Sequence, residues 1–96
     1  MGDSPPLGSP EEFHLMLAEM VDECAPRRFA ICEEYGDRAD GGIFAWGLAF
    51  PDGRALVCGE DSAFTGRFRS PDTALRIFSR TGRRLRLLWI DAPSQC

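Results

Sequence analysis

The residues able to do acid–base, nucleophilic or metal chemistry are few in this chain, and their spacing does not gather them. The only histidine, His14, lies in a helix-forming stretch behind Glu11 and Glu12, off its apolar positions, and reads as a surface residue. Zinc sites need cysteine and histidine at short, regular intervals, and the nearest cysteine, Cys24, follows ten residues later. The four cysteines (Cys24, Cys32, Cys58, Cys96) are separated by 8, 26 and 38 residues and form no CxxC pair. That spacing predicts reduced thiols, with the first three serving as small apolar residues and Cys96 as an exposed terminal thiol.

A Cys–His nucleophile pair would require His14 beside Cys32 or Cys58, and nothing in the sequence demands it. The GxSxG, GxxxxGK[ST] and GxGxxG patterns are absent. Asp37-Arg38-Ala39-Asp40-Gly41 lacks the spacing of a calcium loop and reads as a hairpin turn. Glu33 and Glu34 are neighbours in a strand-forming run, so they point to opposite faces and cannot flank one bond. An inward-facing Glu33 needs a cationic partner, which predicts a structural ion pair with an arginine. The expectation is a non-catalytic protein with no cofactor and no metal.

Arginine is the leading functional feature. The chain has eleven arginines and no lysine, and its signs are segregated. Residues 1–61 carry thirteen acids against four arginines, a balance of −9; residues 62–96 carry seven arginines against two acids, a balance of +5. Arg67 and Arg69 share one face of a predicted strand, and Arg84 and Arg86 share one face of another. If those strands are neighbours, the four guanidiniums form a compact patch, joined by Arg83, that suits phosphate or an acidic protein. Leu88 and Ile90 share the face of Arg84 and Arg86, and an apolar tip beside charge at a sheet edge suits a protein contact, including a homodimer by sheet extension. The candidate partner-binding set is therefore Arg67, Arg69, Arg83, Arg84, Arg86, Leu88 and Ile90.

Nucleic acid is the less favoured partner. Stacking aromatics are missing from the arginine face, and the net charge of −4 opposes generic adhesion to nucleic acid or anionic membrane. No apolar run approaches the roughly 18 residues of a membrane span, and no basic, apolar leader opens the chain. These features predict a cytoplasmic protein.

The elements that position these residues are legible from periodicity. Residues 1–8 and 92–96 read as tails around a single domain over 9–91. Ser9, Pro10 and Glu12 make a helix start, and Phe13, Met16, Leu17, Met20, Val21 and Cys24 follow as one apolar stripe until Pro26. Four strand signals follow at 29–35, 43–50, 54–59 and 63–69, with turns too short for anything but antiparallel pairing. The second strand is apolar on both faces, which predicts a central position covered on both sides. Ser70-Pro71-Asp72 starts a second helix with Ala74, Leu75, Ile77 and Phe78 inward, and a fifth strand runs over 84–91, joining an edge parallel to the fourth. The order α-β-β-β-β-α-β predicts an α+β domain, a curved antiparallel meander with both helices packed on one face.

Four short patterns, Glu34-Tyr35-Gly36, Ala45-Trp46-Gly47, Arg69-Ser70-Pro71 and the final Leu87, Trp89 and Asp91, resemble those of a group of small actinobacterial proteins. The resemblance covers about residues 18–91. It implies a cytoplasmic bacterial protein and adds no catalytic residue. Together these readings predict a protein-interaction or regulatory module that self-associates. The alternatives are a nucleic-acid-binding regulator using the arginine face, an inhibitor or immunity-type protein with an acidic face, and a small hydrolase or transferase with a pocket under the sheet.

Overall fold

The computed structural model of the chain describes residues 8–93. Most of both expected tails, and the expected exposed thiol of Cys96, lie outside the described residues. Helix α1 spans Pro10–Cys24, strands β1 to β4 span Arg27–Tyr35, Asp40–Ala49, Ala55–Gly59 and Thr65–Phe68, helix α2 spans Pro71–Ser79, and β5 spans Leu85–Trp89. The α+β class and the element order are as expected.

Both helices begin as the sequence dictates. The Ser9 hydroxyl accepts from the Glu12 amide at 3.1 Å while the Ser9 amide donates to the Glu12 carboxylate at 2.9 Å, a complete capping box. The Ser70 hydroxyl accepts from the Thr73 amide at 3.0 Å to start α2.

The strands form one open antiparallel sheet in the order β4-β3-β2-β1-β5. The first four are the expected meander. Strand β5 joins an edge and runs in the direction of β4, but at the opposite edge, beside β1. The reason lies in α2. It packs against β3, β4 and β5, so it crosses the sheet from the β4 edge and delivers the chain to the β1 side. The arginine-bearing strands are therefore not neighbours.

The core fills the face under α2. Phe29, Ile31, Ala45, Ala55 and Val57 are buried there with Ala74 of α2, and Leu85 and Leu87 of β5 pack against them. A register shift between Ile31 and Cys32 inserts Phe44 as an extra residue in β2, and Phe44 joins the core beside Ala45. There it meets Phe64, Phe68 and Phe78 in an aromatic cluster with ring centroids 5.1–5.8 Å apart.

The end of β5 is clamped to the start of β1. Asp91 accepts from the Arg28 backbone amide at 2.8 Å and from its guanidinium at 2.8 and 3.0 Å. These hydrogen bonds, the guanidinium's first, lower the Asp91 carboxyl from 3.8 to about 2. Its contribution to stability is thus fully present above pH 3.8 and disappears as pH falls through about 2. Thermal melts of wild type and Asp91→Asn should differ at pH 5 and converge as pH is lowered to 2. A gap that persists at pH 2 would mean the clamp acts through shape rather than charge. Beside this clamp the Arg27 guanidinium lies 3.7 Å from the centroid of the Trp89 ring, which meets Phe29 edge-on at 5.3 Å.

Helix α1 departs from the expectation. None of its residues is buried, and its stripe, Phe13, Met16, Leu17, Met20 and Val21, is exposed. The face where two helices were expected is filled by α2 and the aromatic cluster alone. Ala25 is extended (φ −64°, ψ 142°), Pro26 fixes its own φ, and the helix projects from the sheet. The molecule measures 62 × 25 × 22 Å, with a radius of gyration of 18.4 Å against about 13 Å for a compact domain of this length. Cys24 is also not a core residue: it is exposed and disulfide-bonded, whereas Cys32 and Cys58 are free, half-buried thiols.

Candidate interaction surface

With α2 on one side and α1 projecting, no other described element covers the second face of the sheet. The strand registers define what it presents. One row across the strands runs Arg67, Leu56, Leu48, Arg28 and Ile90. The next runs Thr65, Cys58, Trp46, Ala30 and Leu88. A third places Ile43, Cys32 and Arg86 side by side. Apart from Arg28 the inner positions are apolar; the β4 end of the rows is polar or charged (Arg67, Thr65), and the β5 end mixes Ile90 and Leu88 with Arg86.

Trp46 stands at the centre, 42% exposed, and its indole N–H donates to the Glu60 carboxylate at the border. Leu88 and Ile90 are 51% and 47% exposed on the same face. A groove of about 300 Å³ runs beside Trp46 between Leu48, Leu56 and Ile90. Strand β2 is central as expected, but it is covered on one side only. Large contiguous apolar patches on a soluble surface mark interaction sites far more often than scattered single residues do.

The seven candidate residues are not brought together. Leu88 and Ile90 belong to the open face. Arg67 and Arg69 lie at the β4 edge, and Arg83, Arg84 and Arg86 at the other, four strand spacings or about 19 Å away. The expected compact patch does not form. Three of the five arginines are also engaged by carboxylates. Arg83 binds Glu33 at 2.8 Å, and Arg86 and Arg84 approach Glu34 at 3.1 and 3.6 Å. Glu33, its side chain only 12% exposed, has the arginine partner its position requires, and Arg83 lies 5.2 Å over the Phe44 ring. Arg67 and Arg69 form no ion pair among the described residues.

Cys32 borders a depression of about 470 Å³ with Glu34, Arg38 and Arg86. Among the described residues no cluster of three or more histidine, cysteine or acidic side chains is arranged to hold a metal ion, and no helix is long and apolar enough to cross a membrane.

Sequence reasoning missed Trp46, Ile43, Leu48 and Leu56 as surface residues. The signal was present in β2, apolar on both faces in a sequence that predicts two helices. Placing both helices on one face left the other side of that strand without cover.

In comparison with known proteins, the chain matches no protein-family model, no curated protein and no solved structure.

Proposed function

We propose that this chain is a small, non-catalytic protein-interaction module and that its binding surface is the open sheet face around Trp46. The observation that supports this most directly is the continuous apolar centre of that face, Trp46, Leu48, Leu56 and Leu88, with arginine at its borders. Binding energy at protein interfaces concentrates in central tryptophan and arginine residues surrounded by a polar rim. Arg67, exposed and without an ion-pair partner among the described residues, is positioned to meet an acidic group of the partner. The nucleic-acid reading loses its main support, because the arginines are split between two edges and three of them are paired with Glu33 and Glu34. An inhibitor or immunity-type role would be one form of the same module, distinguished by the identity of the partner.

The test is recovery of a partner from nuclease-treated native lysate by tagged wild type and by Trp46→Arg. Trp46 is partly exposed, so the variant should keep the wild-type circular dichroism spectrum. A partner, whether another protein or an untagged copy of the chain, should be retained by wild type and lost at least tenfold by the variant. Recovery that nuclease abolishes, or that Trp46→Arg leaves unchanged, would overturn the assignment of this surface.

A further inference from the structure

We infer that the open sheet face is covered by helix α1 of a second copy, so that two chains exchange their first helices in a closed dimer. The inference rests on the open-face reading and names its occupant.

Two apolar surfaces are left without cover by the described residues of one chain. The α1 stripe exposes Phe13, Met16, Leu17, Met20 and Val21, and the sheet exposes Ile43, Trp46, Leu88 and Ile90. Their dimensions agree. A helix of 15 residues is about 22 Å long and about 10 Å wide, and the five-stranded face is about 19 Å across. Burying the exposed parts of these side chains would remove on the order of 750 Å² per helix–sheet contact, and two such contacts reach the usual 1,200–2,000 Å² of a stable interface.

The charges agree as well. Helix α1 carries five acids and no arginine, while Arg67, without an ion-pair partner among the described residues, stands at the edge of the face; Arg28 and Arg86 there are already paired with Asp91 and Glu34. Attraction between the two orients the approach and weakens with salt.

The connection explains why the occupant is a second copy. Only Ala25 and Pro26 join α1 to β1, and Ala25 is extended. Laying α1 over its own sheet would require that pair to reverse the chain and also climb the roughly 10 Å of a packed layer, at the limit of its reach. A short, stiff hinge of this kind disfavours the closed monomer and favours exchange. The extended hinge already points α1 away from its own sheet and leaves the helix available to another. Each chain gives one helix and one face, so the contact is satisfied twice about a two-fold axis and stops at two copies.

The experiment is the absolute mass of the full chain by light scattering. Wild type should have the mass of two chains. Leu17→Arg with Met20→Arg, and separately Trp46→Arg, should each have the mass of one. Mixing these two variants should give a two-chain species at raised protein concentration, weaker than wild type because only one of the two contacts is recovered, since one supplies an intact helix and the other an intact face. A face-to-face or edge-to-edge dimer would not show that complementation. As a control that leaves both surfaces intact, insertion of about six Gly/Ser residues between Ala25 and Pro26, with the Cys24 disulfide reduced, lets α1 reach its own face and should convert the dimer to a monomer, whereas reduction alone should not.

Wild type at single-chain mass overturns the exchange. If Trp46→Arg still loses a nuclease-resistant partner, the open-face reading survives that result. A dimer lost on Trp46→Arg but kept by the helix variant overturns the exchange alone, as does a dimer unaffected by the insertion. A dimer that survives every substitution overturns both readings.

Discussion

Gly47→Ala is expected to cost about 3 kcal/mol and to lower Tm by roughly 12–20 °C, the largest effect of any single methyl group in this protein. A Cβ built on Gly47 would lie 2.2, 2.5 and 2.6 Å from three atoms of the Phe29 ring. Real side chains do not approach that closely, so either the ring or the strand must move. The ring has little room, because Phe29 is fully buried and Trp89 meets it edge-on at 5.3 Å. Gly47 and Phe29 are also cross-strand partners, so displacing one disturbs the β1–β2 register. A domain of this size has only about 5–10 kcal/mol of stability in total, so the loss is large in proportion. Thermal melts give the magnitude. A double variant, Gly47→Ala with Phe29→Leu, should recover part of it, and the cycle should show strong coupling. A loss below about 1 kcal/mol would show that Phe29 moves aside freely.

Phe78→Ala is expected to be nearly as severe, at about 3 kcal/mol, near the lower bound for truncating a core phenylalanine because Phe78 is half-buried. Phe78 is the aromatic contact of α2 with the sheet, beside Ala74 and Leu75. Its ring centroid lies 5.3, 5.1 and 5.4 Å from those of Phe44, Phe64 and Phe68, so one truncation removes three of the cluster's four ring contacts and leaves only the Phe44–Phe64 pair. The loss should also be local in its first effect. Hydrogen exchange should rise in α2 before it rises in β1 and β2, since the latter pair has its own ladder. Ile77→Ala, one position along and exposed, serves as the control and should cost less than about 1 kcal/mol. Equal losses from the two variants would mean that the aromatic cluster does not anchor the helix.

The local chemistry of the fold was legible because it depends on neighbours in sequence. Ser9 and Glu12, Ser70 and Pro71, and the tight turns between β1 and β4 act over three or four residues, and each did what its type requires. Placement of β5 was harder. It depends on where α2 must lie, a property of the assembled sheet, and the same number of residues could have led to either edge. The arginine patch failed for that reason alone, since the faces of Arg67, Arg84 and Arg86 were read correctly. Helix α1 shows another limit. Its stripe announced that it must be covered, but a stripe does not say by what, and covering by the chain's own sheet was assumed. The short sequence patterns gain physical meaning only in three dimensions. Trp89 supports Arg27, Asp91 clamps Arg28, Gly47 admits Phe29, and Trp46 centres the open face.

The projecting helix has a hydrodynamic consequence. A body 62 Å long and 25 by 22 Å in section is about two and a half times longer than wide, so it drags more and tumbles more slowly than a sphere of equal mass. A single chain would elute from a sizing column ahead of its mass and imitate a dimer. Helix exchange would fold each projection into the joint body. Association would then lower the frictional ratio as it doubles the mass, so sedimentation would accelerate by more than mass alone accounts for.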